Sequence, residues 1–177
     1  MGYSSMVEHR ALNAAAAGSS PAAPAITKIA MSRYIGGRFE TVMMQISWAR
    51  PPNYDAIVAR FPLVAGQKGV FFCYGNTIHN PDMVKIPDPI LVHEQVHSVR
   101  QGGDPEKWWR SYLEDDRFRL NEELPAHIAE YWWWKERTKD RNKLAPHLAV
   151  IAGRLSSPLY GNMISLSQAM QAIRSFK

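Results

Sequence analysis

The chain has a single cysteine, Cys73, among its 177 residues. An internal disulfide framework is thereby excluded. No stretch approaches the roughly 20 apolar residues of a membrane-spanning helix, which argues against a membrane partner. No internal repeat and no glycine-rich phosphate loop is present. Charge of one sign is also scarce. Lys+Arg number 21 against 16 Asp+Glu, a net +5, with no basic stripe interleaved with aromatics. A nucleic-acid partner is therefore not expected. Cys73 itself stands between Phe72 and Tyr74 in an apolar run. It reads as a small buried residue rather than a nucleophile.

What is present is a string at His93-Glu94-Gln95-Val96-His97. On a helix this HExxH spacing puts two imidazoles on one face, a turn apart, where they can grip one Zn²⁺. Glu94, beside the first histidine, can take a proton from a metal-activated water. The flanks support a helix. Asp88-Pro89 offers an N-cap and a first-turn proline, Val92, Val96 and Val99 form an apolar stripe, and Gly102-Gly103 supplies a stop. The spacing predicts a helix from about Pro89 to Gln101.

Two histidines leave a tetrahedral zinc at least one protein ligand short. Downstream, Asn121 can cap a helix running from Glu122 to about Arg137, with Pro125 in its first turn. Such a helix carries Glu123, His127 and Glu130 along one face. Glu123 is the favoured third ligand, with Glu122 and His127 as competitors. The bland reading of Glu122-Glu123 is a pair of first-turn acids answering the helix dipole.

These residues resemble a small gluzincin-type metallopeptidase domain, with HExxH on one helix and Glu-x-x-Ala (Glu123 to Ala126) on a later one. The sequence is similar in particular to short HExxH proteins of phages and prophages. In those, a strand like Phe72 to Ile78 precedes the zinc helix and a block like Arg119 to His127 follows it. The resemblance implies zinc held by His93, His97 and Glu123, with Glu94 as general base. In thermolysin-like gluzincins an acid one turn after the glutamate ligand orients a zinc histidine. This chain carries His127 in that place.

The first residues read differently. Ser4 to His9 and Gly18 to Pro21 resemble in-frame translations of the D-arm and T-arm of a tRNA gene. Residues 1–43 are accordingly expected to be a leader outside the fold, and 44–177 a single domain. The start would fall at Met31, Met43 or Met44, of which Met44 fits best. A tRNA gene is a favoured site of phage integration, in keeping with the phage-like resemblance. A secretory signal is a poor fit, because the apolar run Ala14 to Ala17 is short and follows Glu8.

Elsewhere, Asn53 can cap a helix over Tyr54 to Arg60. Val70 to Tyr74 and Thr77 to His79 flank the turn pair Gly75-Asn76 as a hairpin, a candidate shelf for an extended substrate. Asp104-Pro105 opens a helix to about Leu113, Pro146 one to about Leu155, and Ser165 to Gln168 is a capping box for the last. Trp108-Trp109 and Trp132 to Trp134 read as core or as a binding platform. The expectation is an α+β, mostly helical, minimal zincin-like domain. It would be a zinc-dependent peptidase acting on a peptide or protein, in a host cytoplasm or a virion. His127 and Tyr112 are the candidate oxyanion donors. The rival expectation is a non-catalytic phage component with a structural metal.

Overall fold

The computed structural model describes residues 26–35, 38–138 and 140–175. Two long strands come first, β1 (Ile26–Ile35) and β2 (Arg38–Ser47), paired antiparallel with Ile26 opposite Ser47 and Ile29 opposite Met44. The side-chain period of two is visible at the end of β2, where Met43 is exposed and Met44 fully buried. The division expected at residue 43 therefore falls inside a strand. Residues 1–25 of the expected leader lie outside the described residues.

Gly75 adopts φ +57°, which the two-residue turn between β3 (Phe72–Tyr74) and β4 (Thr77–His79) requires. This hairpin lies where the sequence placed it. Its sheet partner was not foreseen. β4 runs parallel to β2, with Ile46 opposite Ile78, giving the order β1-β2-β4-β3. β3 is consequently an outer strand.

Six helices make up most of the rest. They are α1 (Tyr54–Arg60), α2 (Asp88–Gln101), α3 (Pro105–Glu114), α4 (Asp116–Arg137), α5 (Arg141–Leu155) and α6 (Leu166–Ser175). The architecture is the expected mostly helical α+β one, with the hairpin ahead of the HExxH helix. Among the described residues no helix is long and apolar enough to cross a membrane. Several helix ends follow local chemistry. Asp104 accepts the Lys107 N–H at 2.9 Å ahead of α3. Ser165 and Gln168 exchange the two bonds of a capping box ahead of α6.

α2 starts one residue early, with Pro87 rather than Asp88 at its N-cap, and two further helix starts differ by several residues, for one reason. α4 begins at Asp116, not Glu122, because Asp115 caps it by accepting the Arg117 and Phe118 N–H groups. α5 begins at Arg141, capped by Asp140, not at Pro146. In both, a proline taken as a start signal sits inside the helix. Pro125 leaves the Asn121 carbonyl without its usual donor. The Arg100 guanidinium of α2 supplies one at 3.3 Å.

Apolar burial forms three clusters. One gathers Ile128, Leu148, Ile151, Leu155 and Ile173 among α4, α5 and α6. A second joins Ile57, Phe61, Phe72, Trp108, Trp109 and Tyr112. A small third holds Met44, Cys73 and Ile78. Trp108-Trp109 is thus core. Trp132 to Trp134 are only half-buried, and Trp134 stacks on His147 at 3.6 Å.

Candidate metal site

Where α2 faces α4, the packing is polar. His93, Glu94, His97 and Gln101 of α2 and Arg119, Glu122, Glu123, His127 and Glu130 of α4 are all buried. Such a seam is costly unless each group finds a partner. Most do. The fully buried Arg119 donates to the Tyr112 carbonyl at 2.8 Å and the Tyr160 carbonyl at 3.1 Å, and pairs with Asp116. This ties α3, α4 and the turn at Pro158–Tyr160 together.

Two imidazole nitrogens and a carboxylate converge on one place. His93 Nε2 lies 3.1 Å from His97 Nε2. His97 Nε2 lies 3.4 Å from Glu123 Oε1, and His93 Nε2 3.6 Å from Glu123 Oε2. A tetrahedron with arms of about 2.0–2.2 Å has edges of about 3.3–3.6 Å, so these separations suit a shared zinc-sized ion. Glu123 Oε2 is buried without a hydrogen-bond partner. The donor set of two imidazoles and a carboxylate therefore fits such an ion.

The competitors are placed differently. Glu122 accepts two bonds of 2.7 Å from Arg100 and one of 2.9 Å from Trp108 Nε1, which commits its carboxylate elsewhere. His127 stays close. It, His93 and Glu123 each offer a ligand atom within 4.8 Å of the others. Its Nδ1, however, lies 2.9 Å from the Glu123 carbonyl. A carbonyl only accepts, so Nδ1 carries the proton and is no ligand while that bond holds.

The electrostatics are those of a cation trap. Burial would pull the His93 imidazole down, but the carboxylates of Glu123 and Glu130 outweigh it and hold its pKa at about 10. Burial would raise the Glu123 carboxyl, but His97 and His93 hold it well below the usual carboxylate range. A proton is one cation such a cluster retains; a metal ion is another. His127 goes the other way, to about 3, through burial and the neighbouring charge of His93. Burial raises Glu94 despite His93 and His97. The Cys73 thiol is likewise pushed up by burial and by Glu94, which suits an inert thiol.

Around the cluster stand Glu130, for which no role was expected, and the two expected oxyanion donors. Glu130, seven residues beyond Glu123, brings Oε2 to 3.7 Å from His93 Nδ1 and is itself paired with Arg154. It stands near the imidazole an orienting acid would serve, although His127 occupies the place where the resemblance puts one. Tyr112, an expected oxyanion donor, instead donates to Glu123 Oε1 at 2.5 Å. The other, His127, is fully buried against Tyr160, ring centroids 5.5 Å apart.

Two cavities meet at the site. A small one of about 70 Å³ and a wide cleft of about 680 Å³ share Val70, Phe71, His93, Glu94, Leu159 and Tyr160. Burial, then Glu123 and other carboxylates, push the Tyr160 phenol well above its ordinary value, so it keeps its proton. No motif marks Tyr160 in the sequence; the turn after α5 delivers it.

No family model, curated protein or solved structure matches this chain. The shelf expected on β3 is partly closed. Cys73 directs its carbonyl to the outer edge, where Gln101 Nε2 and Trp109 Nε1 already donate to it at 2.8 and 3.0 Å.

Proposed function

We infer that the protein is a zinc-dependent hydrolase, acting on peptide bonds. One observation carries this reading. His93 Nε2 and His97 Nε2 lie 3.1 Å apart, and each has a different Glu123 carboxylate oxygen within reach, at 3.6 and 3.4 Å, beside two cavities that Glu94 also lines. When bound there, zinc would supply Lewis acidity and acidify a water toward a pKa of about 7.

The remaining work falls to the chain. Tyr112 steadies the Glu123 carboxylate, and Glu130, pinned by Arg154, faces the far nitrogen of His93. Glu94 is free of any described hydrogen-bond partner. Its raised pKa suits a base that takes a proton from water and returns it to the leaving amine. The oxyanion donor in this mechanism is Tyr160, a reading supported by its retained proton and its position in the lining of both cavities. This assignment replaces Tyr112 and His127 in that role.

The test is metal analysis of the purified chain together with hydrolysis of an unstructured protein such as casein. Glu94→Gln should retain zinc and lose turnover by about 10²–10⁴-fold. His97→Ala should lose the zinc. Equal cleavage by wild type and Glu94→Gln would refute the mechanism.

The nearness of His127 favours a second reading, a structural metal closed by four protein ligands. It requires the Nδ1 bond to Glu123 to break or Nε2 to turn inward. In that case His127→Ala would weaken zinc binding as severely as His97→Ala.

A further inference from the structure

We propose that the wide cleft holds a carboxylate of the substrate, between Lys68 and Arg154, a residue or two from the bond that is cleaved. This rests on the hydrolase reading above and names the substrate as one that is anionic close to that bond. His93 and Glu94 aside, the charged side chains that line the cleft of about 680 Å³ are those two cations. They come from different elements. Lys68 belongs to the loop between Phe61 and β3, and Arg154 to the last turn of α5.

Both have donors to spare. Lys68 is exposed, and the described ion pairs belong to other cations. Gly66 and Gly69 stand on either side of it, and no other atom lies within 4 Å of where a Cβ would be at either. The Lys68 side chain thus sits on an uncrowded loop, anchored by the 2.7 Å bond from the Gly69 N–H to Asp82. Arg154 engages Glu130 through Nη2, while its Nε is buried without a partner. A guanidinium carries five donors in a planar fork, so one edge of this one is left for a second acceptor. A donor left bare is costly, and a bound carboxylate relieves that cost.

The anion's distance from the metal cluster follows from Glu130. That one carboxylate pairs with Arg154 and brings Oε2 to 3.7 Å from His93 Nδ1. Burial raises the Glu94 carboxyl and the Tyr160 phenol, and the charge of Arg154 opposes the rise at both. An anion on the free edge of Arg154 is therefore within a residue or two of the cluster, at ~3.5 Å of extended chain each. In a peptide the groups of this chemistry are the chain-terminal carboxylate and the side chains of Asp and Glu. A cationic side chain in that place would meet two like charges.

The experiment uses the full, zinc-loaded chain and four chelating probes that share a succinyl hydroxamate head. The head is joined to glycine or glycinamide in one pair, and to glutamic acid α-amide or glutamine amide in the other. Titration calorimetry gives the affinity ratio of carboxylate to carboxamide within each pair. In at least one pair the carboxylate should bind about tenfold or more tightly, the scale of a charge-assisted contact to Arg. A gain in the glycine pair identifies a chain terminus, and a gain in the glutamate pair an acidic side chain. Lys68→Met should cut the ratio about threefold with zinc content unchanged, the scale of a partly exposed ion pair. Arg154→Gln should bring it near one. The ratio cancels any change in metal affinity caused by loosening Glu130. Ratios near one in both pairs would overturn the proposal and leave the metal site standing, as would a ratio that neither variant moves. Failure of all four probes on zinc-loaded protein would remove the hydrolase reading as well.

Discussion

Glu130 Oε2 stands 3.7 Å from Nδ1 of His93, across the α2–α4 seam and on the other side of the ring from the Nε2 that faces His97. The carboxylate is anchored from behind by Arg154 of α5. At that distance it makes no hydrogen bond, but its charge favours a proton on Nδ1 and so leaves Nε2 as the nitrogen facing the site, from two turns beyond Glu123, not one. Glu130→Gln should lower zinc affinity about 10–100-fold, measured by competition with a chromogenic chelator. An unchanged affinity would show that His93 is oriented by packing alone.

Tyr160 separates metal binding from turnover. Tyr160→Phe should leave zinc affinity intact and cut kcat about 10²–10³-fold, the cost of removing one oxyanion donor. A parallel loss of zinc would make Tyr160 a structural residue instead. Steady-state kinetics beside metal content settles it.

Arg119 is the tie that carries no chemistry. Its guanidinium holds two carbonyls from different elements and lies 4.8 Å over the Phe61 ring. Arg119→Leu should destabilise the fold by about 3 kcal/mol in urea unfolding, since hydrogen bonds to a charged group are lost and buried carbonyls are left bare. Arg119→Lys should not restore it, because an ammonium cannot reproduce the planar fork.

His79, which lines neither cavity, gives the fold an acid-sensitive point outside the candidate metal site. The buried imidazole donates Nδ1–H to the Ala49 carbonyl at 3.1 Å. Burial lowers its pKa, against the opposing effect of that bond. The unfolded chain, with an ordinary value of about 6.5, binds the proton more readily. This contribution is whole above about pH 6.5, then shrinks as pH falls until the folded value is passed. Urea midpoints should drop more between pH 7.5 and 5.5 for the wild type than for His79→Gln. Parallel curves would remove His79 as the cause.

The features legible in the sequence were those written in local chemistry. The HExxH helix, the Gly75-Asn76 hairpin and the Ser165–Gln168 capping box each depend on residues a few positions apart. The glutamate facing the two histidines was legible too, because pattern and metal chemistry pointed the same way. What escaped depends mostly on distant partners, although the Asp115 and Asp140 caps that start α4 and α5 are local. Pro125 looks like a helix start until Arg100 is seen to serve the carbonyl it strands. The parallel pairing of β2 with β4 joins segments some thirty residues apart, and no local period announces it. Tyr160 enters the site from a short turn, so no helical or strand pattern could have named it.

The two side-chain donors on the Cys73 carbonyl have a consequence for how this molecule meets others of its kind. An outer strand normally offers a ladder of open backbone groups to any passing strand, and that invites fibrillar self-association. Here Gln101 and Trp109 occupy the carbonyl at the middle of β3. Both are held by helices that the polar α2–α4 seam and the aromatic core keep in place. A second chain cannot extend the sheet across that point without first unseating them. Resistance to aggregation at this edge is thus tied to the integrity of α2 and α3, and damage to either helix would expose a sticky strand as well as a broken site.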